Sequence, residues 1–334
     1  MKLVSYKTEN LEKLGVFING HIYNLHSVDK LIPHTMNEFL WGGEELMERA
    51  HKVNNGIKDG SIVGREEVFF EILAPVPHPT SCRDGYAFRQ HVAAARRNRG
   101  VEMIKEFDSY PIFYFTNHNA VQGPGEVECM PDHFEKLDFE LEVAAVIGKK
   151  GRNIRASEAD EYIAGYCIMN DMSARTLQME EMLLNLGPAK GKDFSTVIGP
   201  WLVTPDELAE HLVAAKANHV GNNYNLQMKC WVNGVEVSSG NVADMDWTFA
   251  EIIERCAYGA DVLPGDVIGS GTVGTGCFLE LNGTGLLNDK NFKPQWLQDG
   301  DVVEMEITGL GRLSNTIRKV DTDFSLLKMK KSIS

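Results

Sequence analysis

The sequence predicts a β-rich α+β protein built on a mixed sheet, not a doubly wound α/β one. Strand-like runs outnumber helical ones and do not alternate regularly with them. The clearest strand, Asp138-Phe-Glu-Leu-Glu-Val-Ala-Ala-Val-Ile147, alternates at first and then runs apolar into Gly148, as a core strand does. A proline-stiffened connector, Ala74-Pro-Val-Pro-His-Pro79, marks the expected domain boundary.

Residues 1–73 read as a small α+β domain. Short strands fall in LVSYK, GVFING and HIYNL, a helix near 36–53, and a further strand around 67–73. Residues 74–330 form the larger domain, opening with helical spacing over 83–97. After the 138–147 strand come a short helix at 156–162, an apolar strand at 163–169 and a helix at 173–186. The remainder alternates strands with Gly and Asn turns, and carries helices near 206–215 and 248–256. No repeat of solenoid or propeller period is present.

Composition narrows the function. With 33 Lys and Arg against 47 Asp and Glu, the net charge is −14, and the one dense basic cluster is Arg96, Arg97 and Arg99. That balance argues against nucleic acid as a partner. An anionic small molecule would need a bound cation or a placed Lys or Arg to enter such a protein. No apolar run is long enough to span a bilayer, so no membrane partner is expected. The first residues carry charges where a secretory signal needs an apolar stretch, which makes the cytoplasm the expected compartment. Six cysteines, at 82, 129, 167, 230, 256 and 277, form no C-x-x-C pair and read as small buried hydrophobes.

Two motifs mislead. Gly269-Ser-Gly271-Thr-Val-Gly274 matches G-x-G-x-x-G, but the following Thr275-Gly-Cys-Phe-Leu-Glu-Leu-Asn-Gly reads as a strand rather than the helix a dinucleotide requires. Gly187-Pro-Ala-Lys-Gly-Lys192-Asp lacks the spacing and the Ser or Thr of a phosphate-binding loop.

Acidic residues carry the chemistry. Glu140 and Glu142 are two apart in the predicted strand, so both project from one face at the margin of a core-like run. A solvent-facing strand explains an arbitrary Glu-x-Glu. Beside a buried run, a hard divalent ion resolves their repulsion better, and oxygen ligands suit Mg2+, Ca2+ or Mn2+. Asp171 ends an apolar strand before a helix, where helix capping is the simple alternative. Asp84 and His91 are seven apart on the predicted 83–97 helix, hence on one face.

In this order the segments resemble the fumarylacetoacetate hydrolase superfamily over residues 70–320. The likeness rests on Asp84-Gly-Tyr86-Ala-Phe-Arg-Gln-His91, Leu137-Asp-Phe-Glu140-Leu-Glu142, Met169-Asn-Asp171-Met-Ser-Ala-Arg175-Thr-Leu-Gln178, Gly191-Lys192-Asp-Phe-Ser-Thr196 and Ser270-Gly271-Thr272. The resemblance implies a mixed β-sandwich or roll fold with a small N-terminal domain. It makes Asp84, Glu140, Glu142 and Asp171 the metal ligands, with Lys192 and Thr196 bordering them. His91 becomes the general base, Glu280 the acid that orients it, and Lys192 a group that reaches substrate or water. Tyr86, Gln178, Gly271 and Thr272 would line the substrate pocket. Two family positions differ: a substrate-binding arginine falls at Gly100, with Arg97 or Arg99 nearby, and a tyrosine falls at Met182 or Leu183.

The implied activity is metal-dependent hydrolysis of a carbon–carbon bond in a small β-dicarbonyl acid of the fumarylacetoacetate or acylpyruvate type, as in aromatic amino acid catabolism. Decarboxylation, hydration or isomerisation of 2-oxo acids on the same metal cradle is the alternative. A non-catalytic scaffold or small-molecule sensor is the rival from another class. Family likeness also implies a homodimer.

Overall fold

The computed structural model describes residues 1–331. Its frame is an 11-stranded sheet. The main path runs His21–Asn24, Leu11–Ile18, Lys2–Thr8, Thr196–Val203, Ile163–Asp171, Leu141–Ile147, Val267–Gly269, Cys82–Gly85 and Phe113–Thr116. A second sheet of five strands runs Val235–Asn241, Gln227–Val232, Val302–Ile307, Gly311–Lys319 and Gly125–Cys129. Antiparallel pairs dominate, but Val267–Gly269 beside Cys82–Gly85, and Gly311–Lys319 beside Gly125–Cys129, are parallel. The mixed, strand-rich class is thus as expected.

The apolar run at Leu141–Ile147 has a direct cause. Val143, Ala145 and Ile147 face one core cluster together with Met228, Met305 and Leu313 of the five-stranded sheet. Ala144 and Val146 face the opposite cluster with Leu3, Val16, Phe39 and Val53. A strand covered on both faces has no polar side to display, so alternation disappears from its sequence.

Residues 1–73 join this frame. Lys2 and Leu3 pair with Val203 and Leu202, and the helix Gly43–Asp59 packs Ala50 and Val53 into the second cluster. The two expected domains therefore meet through a continuous sheet and a shared core.

Several elements depart from the sequence reading. The 36–53 helix is two, Met36–Trp41 and Gly43–Asp59, divided where Gly43 takes φ of +62°. The 206–215 helix is a short 3-10 helix, Pro205–His211, followed by the strand Leu212–Val213. Residues 83–97 split into the strand Cys82–Gly85 and the helix Arg89–Asn98. Asp84 and His91 consequently do not share a helix face. The stretch read as a strand after Gly274 is the helix Phe278–Asn288. Gly283 and Gly285 disguise it, since glycine disfavours helix. Both are required: a Cβ at Gly283 would stand 2.4 Å from the Asn98 side chain, and one at Gly285 would stand 2.5 Å from the Phe292 ring. Among the described residues, no helix is long and apolar enough to cross a membrane.

One buried histidine ties this fold to pH. His133 is 5% exposed, its Nδ1 accepts from the Met130 N–H at 3.2 Å, and its ring lies 4.0 Å from that of Phe194. Burial lowers its pKa from 6.5 to about 4, opposed by Asp132 and Asp193 and assisted by Lys190. The unfolded chain therefore binds the proton more readily than the folded one. His133 contributes stability that is full above pH 6.5 and is lost as pH falls towards 4. The whole effect is at most roughly 3 kcal/mol. Denaturant melts at pH 7 and pH 4.5 should show a smaller acid loss for His133→Gln than for the wild type. Equal losses would remove His133 from the acid limb.

Candidate active site

Neighbouring strands deliver the four acids to one place. Asp84 lies in Cys82–Gly85, Glu142 in Leu141–Ile147 and Asp171 at the end of Ile163–Asp171. Glu140 immediately precedes the Leu141–Ile147 strand rather than lying within it. Register aligns them: Leu141 pairs with Asn170, Ala144 with Gly269, and Gly269 with Asp84. Oxygen atoms of Asp84, Glu140, Glu142 and Asp171 all lie within 4.8 Å of one another, and every one of these residues is buried. Asp171 is not a helix cap, because the helix Arg175–Met182 begins after Ala174 with no side-chain capping bond.

Two buried cations serve the cluster unevenly. Lys192 Nζ donates to Asp171 Oδ2 at 2.7 Å and also to Glu140 Oε2. Arg175 Nη2 donates to Glu140 Oε1 at 2.8 Å. Burial would raise the Glu140 pKa, but Lys192 and Arg175 overcome it and hold the carboxyl at about 2. Burial also acts against the charged form of Lys192, yet Asp171 and Glu140 raise its pKa above the ordinary range. Asp84 and Glu142 have no such partner. Burial and the Asp171 charge push Asp84 up to about 7, and burial with Asp84 pushes Glu142 well above its usual value. Among the described residues, Asp171 Oδ1 and the adjacent Thr196 Oγ1 are buried without hydrogen-bond partners. Four acids, two without a counter-charge, and an orphaned oxygen fit a hard divalent cation, which accepts oxygen ligands and supplies the missing positive charge.

The glycine loop that mimics a dinucleotide motif serves this cluster instead. The Gly271 N–H points at Asp84 Oδ1 and Glu142 Oε2, at 3.0 and 3.2 Å. Gly271 needs its φ of +79°, and a Cβ there would meet the Gly85 carbonyl oxygen at 2.6 Å. The loop does lead to a helix, contrary to the sequence reading. That helix offers nothing to a pyrophosphate, because its first N–H groups, on Phe278 and Leu279, donate to Asp138 at 2.8 and 2.9 Å.

His91 sits in the first turn of Arg89–Asn98, which packs against Phe278–Asn288. Its Nδ1 lies 2.7 Å from Glu280 Oε2, and both side chains are buried. The other Glu280 oxygen accepts the Thr275 N–H at 3.0 Å. Thr275 has φ of +70°, a costly conformation for a β-branched residue. Its hydroxyl lies 3.2 Å from Ser238 Oγ, which ties this strained turn to the strand Val235–Asn241.

A cavity of about 700 Å3 opens over the assembly. Asp84, Glu140, Lys192, His91 and Glu280 contribute to its wall, as do Tyr86, Gln178, Gly271 and Thr272. Glu142, Asp171 and Thr196 lie deeper, each at most 1% exposed. Of the alternatives for the two altered family positions, Arg99 and Met182 line the cavity. Arg97 instead binds Thr284 Oγ1 at 3.0 Å, Leu183 is 79% exposed, and Gly100 ends a helix with φ of +69°.

Sequence reasoning assigned no role to Tyr114, Asp138 or Lys136. The Tyr114 hydroxyl donates to Asp171 Oδ2 from the strand beside Asp84. Lys136 joins Arg99, Arg175 and Lys192 among the cationic side chains of the cavity wall. Asp138 is fully buried, caps the Phe278–Asn288 helix and accepts from Arg175 Nε at 2.9 Å. It thereby joins the Glu280 helix to the guanidinium that holds Glu140.

This constellation defines a buried carboxylate centre beside a histidine–carboxylate pair on a mixed-sheet frame. The family model described as fumarylacetoacetate (FAA) hydrolase C-terminal matches residues 80–318, and the chain belongs to that family. It is 32% identical over 330 residues to human oxaloacetate tautomerase FAHD2A, mitochondrial, covering 95% of this chain and 91% of the relative. The fumarylacetoacetate hydrolase domain-containing protein 2 homolog of Dictyostelium discoideum is 29% identical, with 95% and 97% covered. Among solved structures, the fumarylacetoacetate hydrolase of Exiguobacterium antarcticum superimposes with a TM-score of 0.68 at 23% identity, over 96% of this chain and all of that one.

The Asp138 junction makes a quantitative prediction. Asp138→Ala strands a buried guanidinium and uncaps a helix, so denaturant melts should show a loss of about 3–5 kcal/mol. Asp138→Asn, which still accepts from the helix but carries no charge, should fall between. A loss under about 1 kcal/mol for the alanine variant would show that Arg175 is compensated elsewhere.

Proposed function

We propose that the chain is a divalent-cation-dependent enzyme that moves a proton at carbon 3 of a small 2-oxo acid, with oxaloacetate as the first substrate to test. The observation carrying this reading is the His91 imidazole, oriented by Glu280, on the wall of the same cavity as the carboxylate cluster. The tautomerase name of the human relative, matched over 95% of the chain, supports oxaloacetate as the substrate.

Asp84, Glu140, Glu142 and Asp171 would hold Mg2+, Ca2+ or Mn2+, with Thr196 beside them. Such an ion, when bound, supplies Lewis acidity to the 2-oxo group. His91 Nε2, the nitrogen left free by Glu280, takes the proton from carbon 3. Glu280 stabilises the imidazolium that results. Lys192 Nζ donates to the developing enolate oxygen, and the His91 proton then returns to that oxygen to complete the enol. Arg99 and Lys136 draw the carboxylates of the diacid into a protein whose net charge is −14. Tyr86, Gln178, Gly271 and Thr272 shape the pocket around it.

A second reading, hydrolysis of a β-dicarbonyl carbon–carbon bond, has one observation in its favour. A cavity of about 700 Å3 with Met179, Met182, Leu279, Leu286 and Trp296 on its wall exceeds the needs of a four-carbon diacid. In this reading His91 activates water, and the departing carbanion is delocalised as an enolate.

Three outcomes follow. His91→Ala should slow oxaloacetate tautomerisation, followed by enol absorbance, by about 10²–10⁴-fold. A rate close to wild type would remove this base. Calorimetry should show that Glu142→Ala weakens Mg2+ binding by tenfold or more while Glu280→Gln leaves it unchanged and loses turnover. Parallel assays on acylpyruvates decide between the readings, since cleavage faster than tautomerisation would establish the hydrolase.

A further inference from the structure

We infer that His91, Cys277 and Glu140 form a second cation site, selective for a soft divalent ion such as Zn2+, whose occupation silences the enzyme. Donor atoms of these three buried residues lie within 4.8 Å of one another. Nitrogen, sulfur and carboxylate oxygen make a ligand set that suits zinc, whereas the neighbouring all-oxygen cluster suits hard ions. Glu140 belongs to both groups, as a carboxylate does when it bridges two ions.

His91 is already set up as a zinc ligand. Its Nδ1 is held by Glu280, the carboxylate-behind-histidine arrangement that fixes the tautomer and makes the opposite nitrogen a better donor. Nε2 has no hydrogen-bond partner among the described residues. Charge is compatible as well. Arg175 is occupied by Asp138 and Glu140, and Lys192 by Glu140 and Asp171. A Cys277 thiolate would cancel half the charge of the incoming ion, and Glu280 would offset the remainder. Sulfur is a soft donor, which favours zinc over a hard ion at this position. A soft ion displaces the thiol proton outright. Access is from the cavity, whose wall includes His91 and Glu140 while Cys277 is fully buried behind it.

Binding stands on this cluster alone, whereas silencing rests on His91 being the base. The test uses full-length protein with Mg2+ saturating the hard site and Co2+ as a spectroscopic probe. A thiolate-to-cobalt charge-transfer band should appear in the near ultraviolet, be displaced by Zn2+, and be missing from Cys277→Ser and Cys277→Ala. Both variants are checked for folding by thermal melt. Zn2+ inhibition of oxaloacetate turnover, each protein normalised to its own zinc-free rate, should weaken by at least about tenfold in Cys277→Ser. No band in the wild type, or a band that survives in folded Cys277 variants, overturns the site. A Cys277-dependent band with turnover untouched by Zn2+ supports the site and overturns the role of His91. A band in protein that turns over no substrate supports the site and counts against the proposed function.

Discussion

Everything at the centre of this protein depends on one electrostatic imbalance. Four carboxylates are buried within reach of one another, and the two cations that accompany them satisfy chiefly Glu140 and one oxygen of Asp171. Burying uncompensated charge is among the most expensive things a fold can do, so the site either takes up protons or binds a cation. Asp84 and Glu142, pushed upward, are where this protein stores that demand. A hydrophobic replacement would relieve it, which is why the cluster signifies chemistry rather than stability.

The fold exists to hold that imbalance. A sheet covered on both faces gives no room for the acids to swing out to water, and strand register fixes their spacing. Asp138 then couples the cluster to the helix that orients His91. One carboxylate satisfies the first N–H groups of the helix carrying Glu280 and the guanidinium that pins Glu140. Thr275 works from the other end, where a strained turn presents its N–H to Glu280. His91 is therefore oriented through a carboxylate that is itself held on two sides.

Sequence carried much of this because the relevant signals are local. The apolar 143–147 run marks a doubly buried strand, and the helix expected near 248–256 is found at Phe249–Ala257. The convergence of Asp84 with Glu142 is not local. It depends on a parallel pairing between residues 82–84 and 267–269, which no window of sequence reveals. Asp138 alternates visibly with Glu140 and Glu142, yet its partners at 278 and 279 are 140 and 141 residues away. The helix Phe278–Asn288 was hidden for a different reason: its glycines answer to Asn98 and Phe292, and tertiary contact overrode propensity.

The same geometry bears on the choice between proton transfer and hydrolysis. Both reactions ask for an electrophilic 2-oxo group and an enolate that can be stabilised, and differ in whether the base meets carbon-bound hydrogen or water. His91 lies on a helix joined to its neighbour by Asn98, which donates to the Glu280 carbonyl at 3.1 Å, and its Nδ1 is held by Glu280 at 2.7 Å. On the proposed function, what would decide the reaction is the occupant of the space in front of Nε2. A small diacid drawn inward by Arg99 and Lys136 would present carbon 3 there, whereas a longer acyl chain reaching Leu286 and Trp296 would leave room for water. On the proposed function, specificity would reside in the distal wall of the cavity, with His91 and the carboxylate cluster common to either reaction.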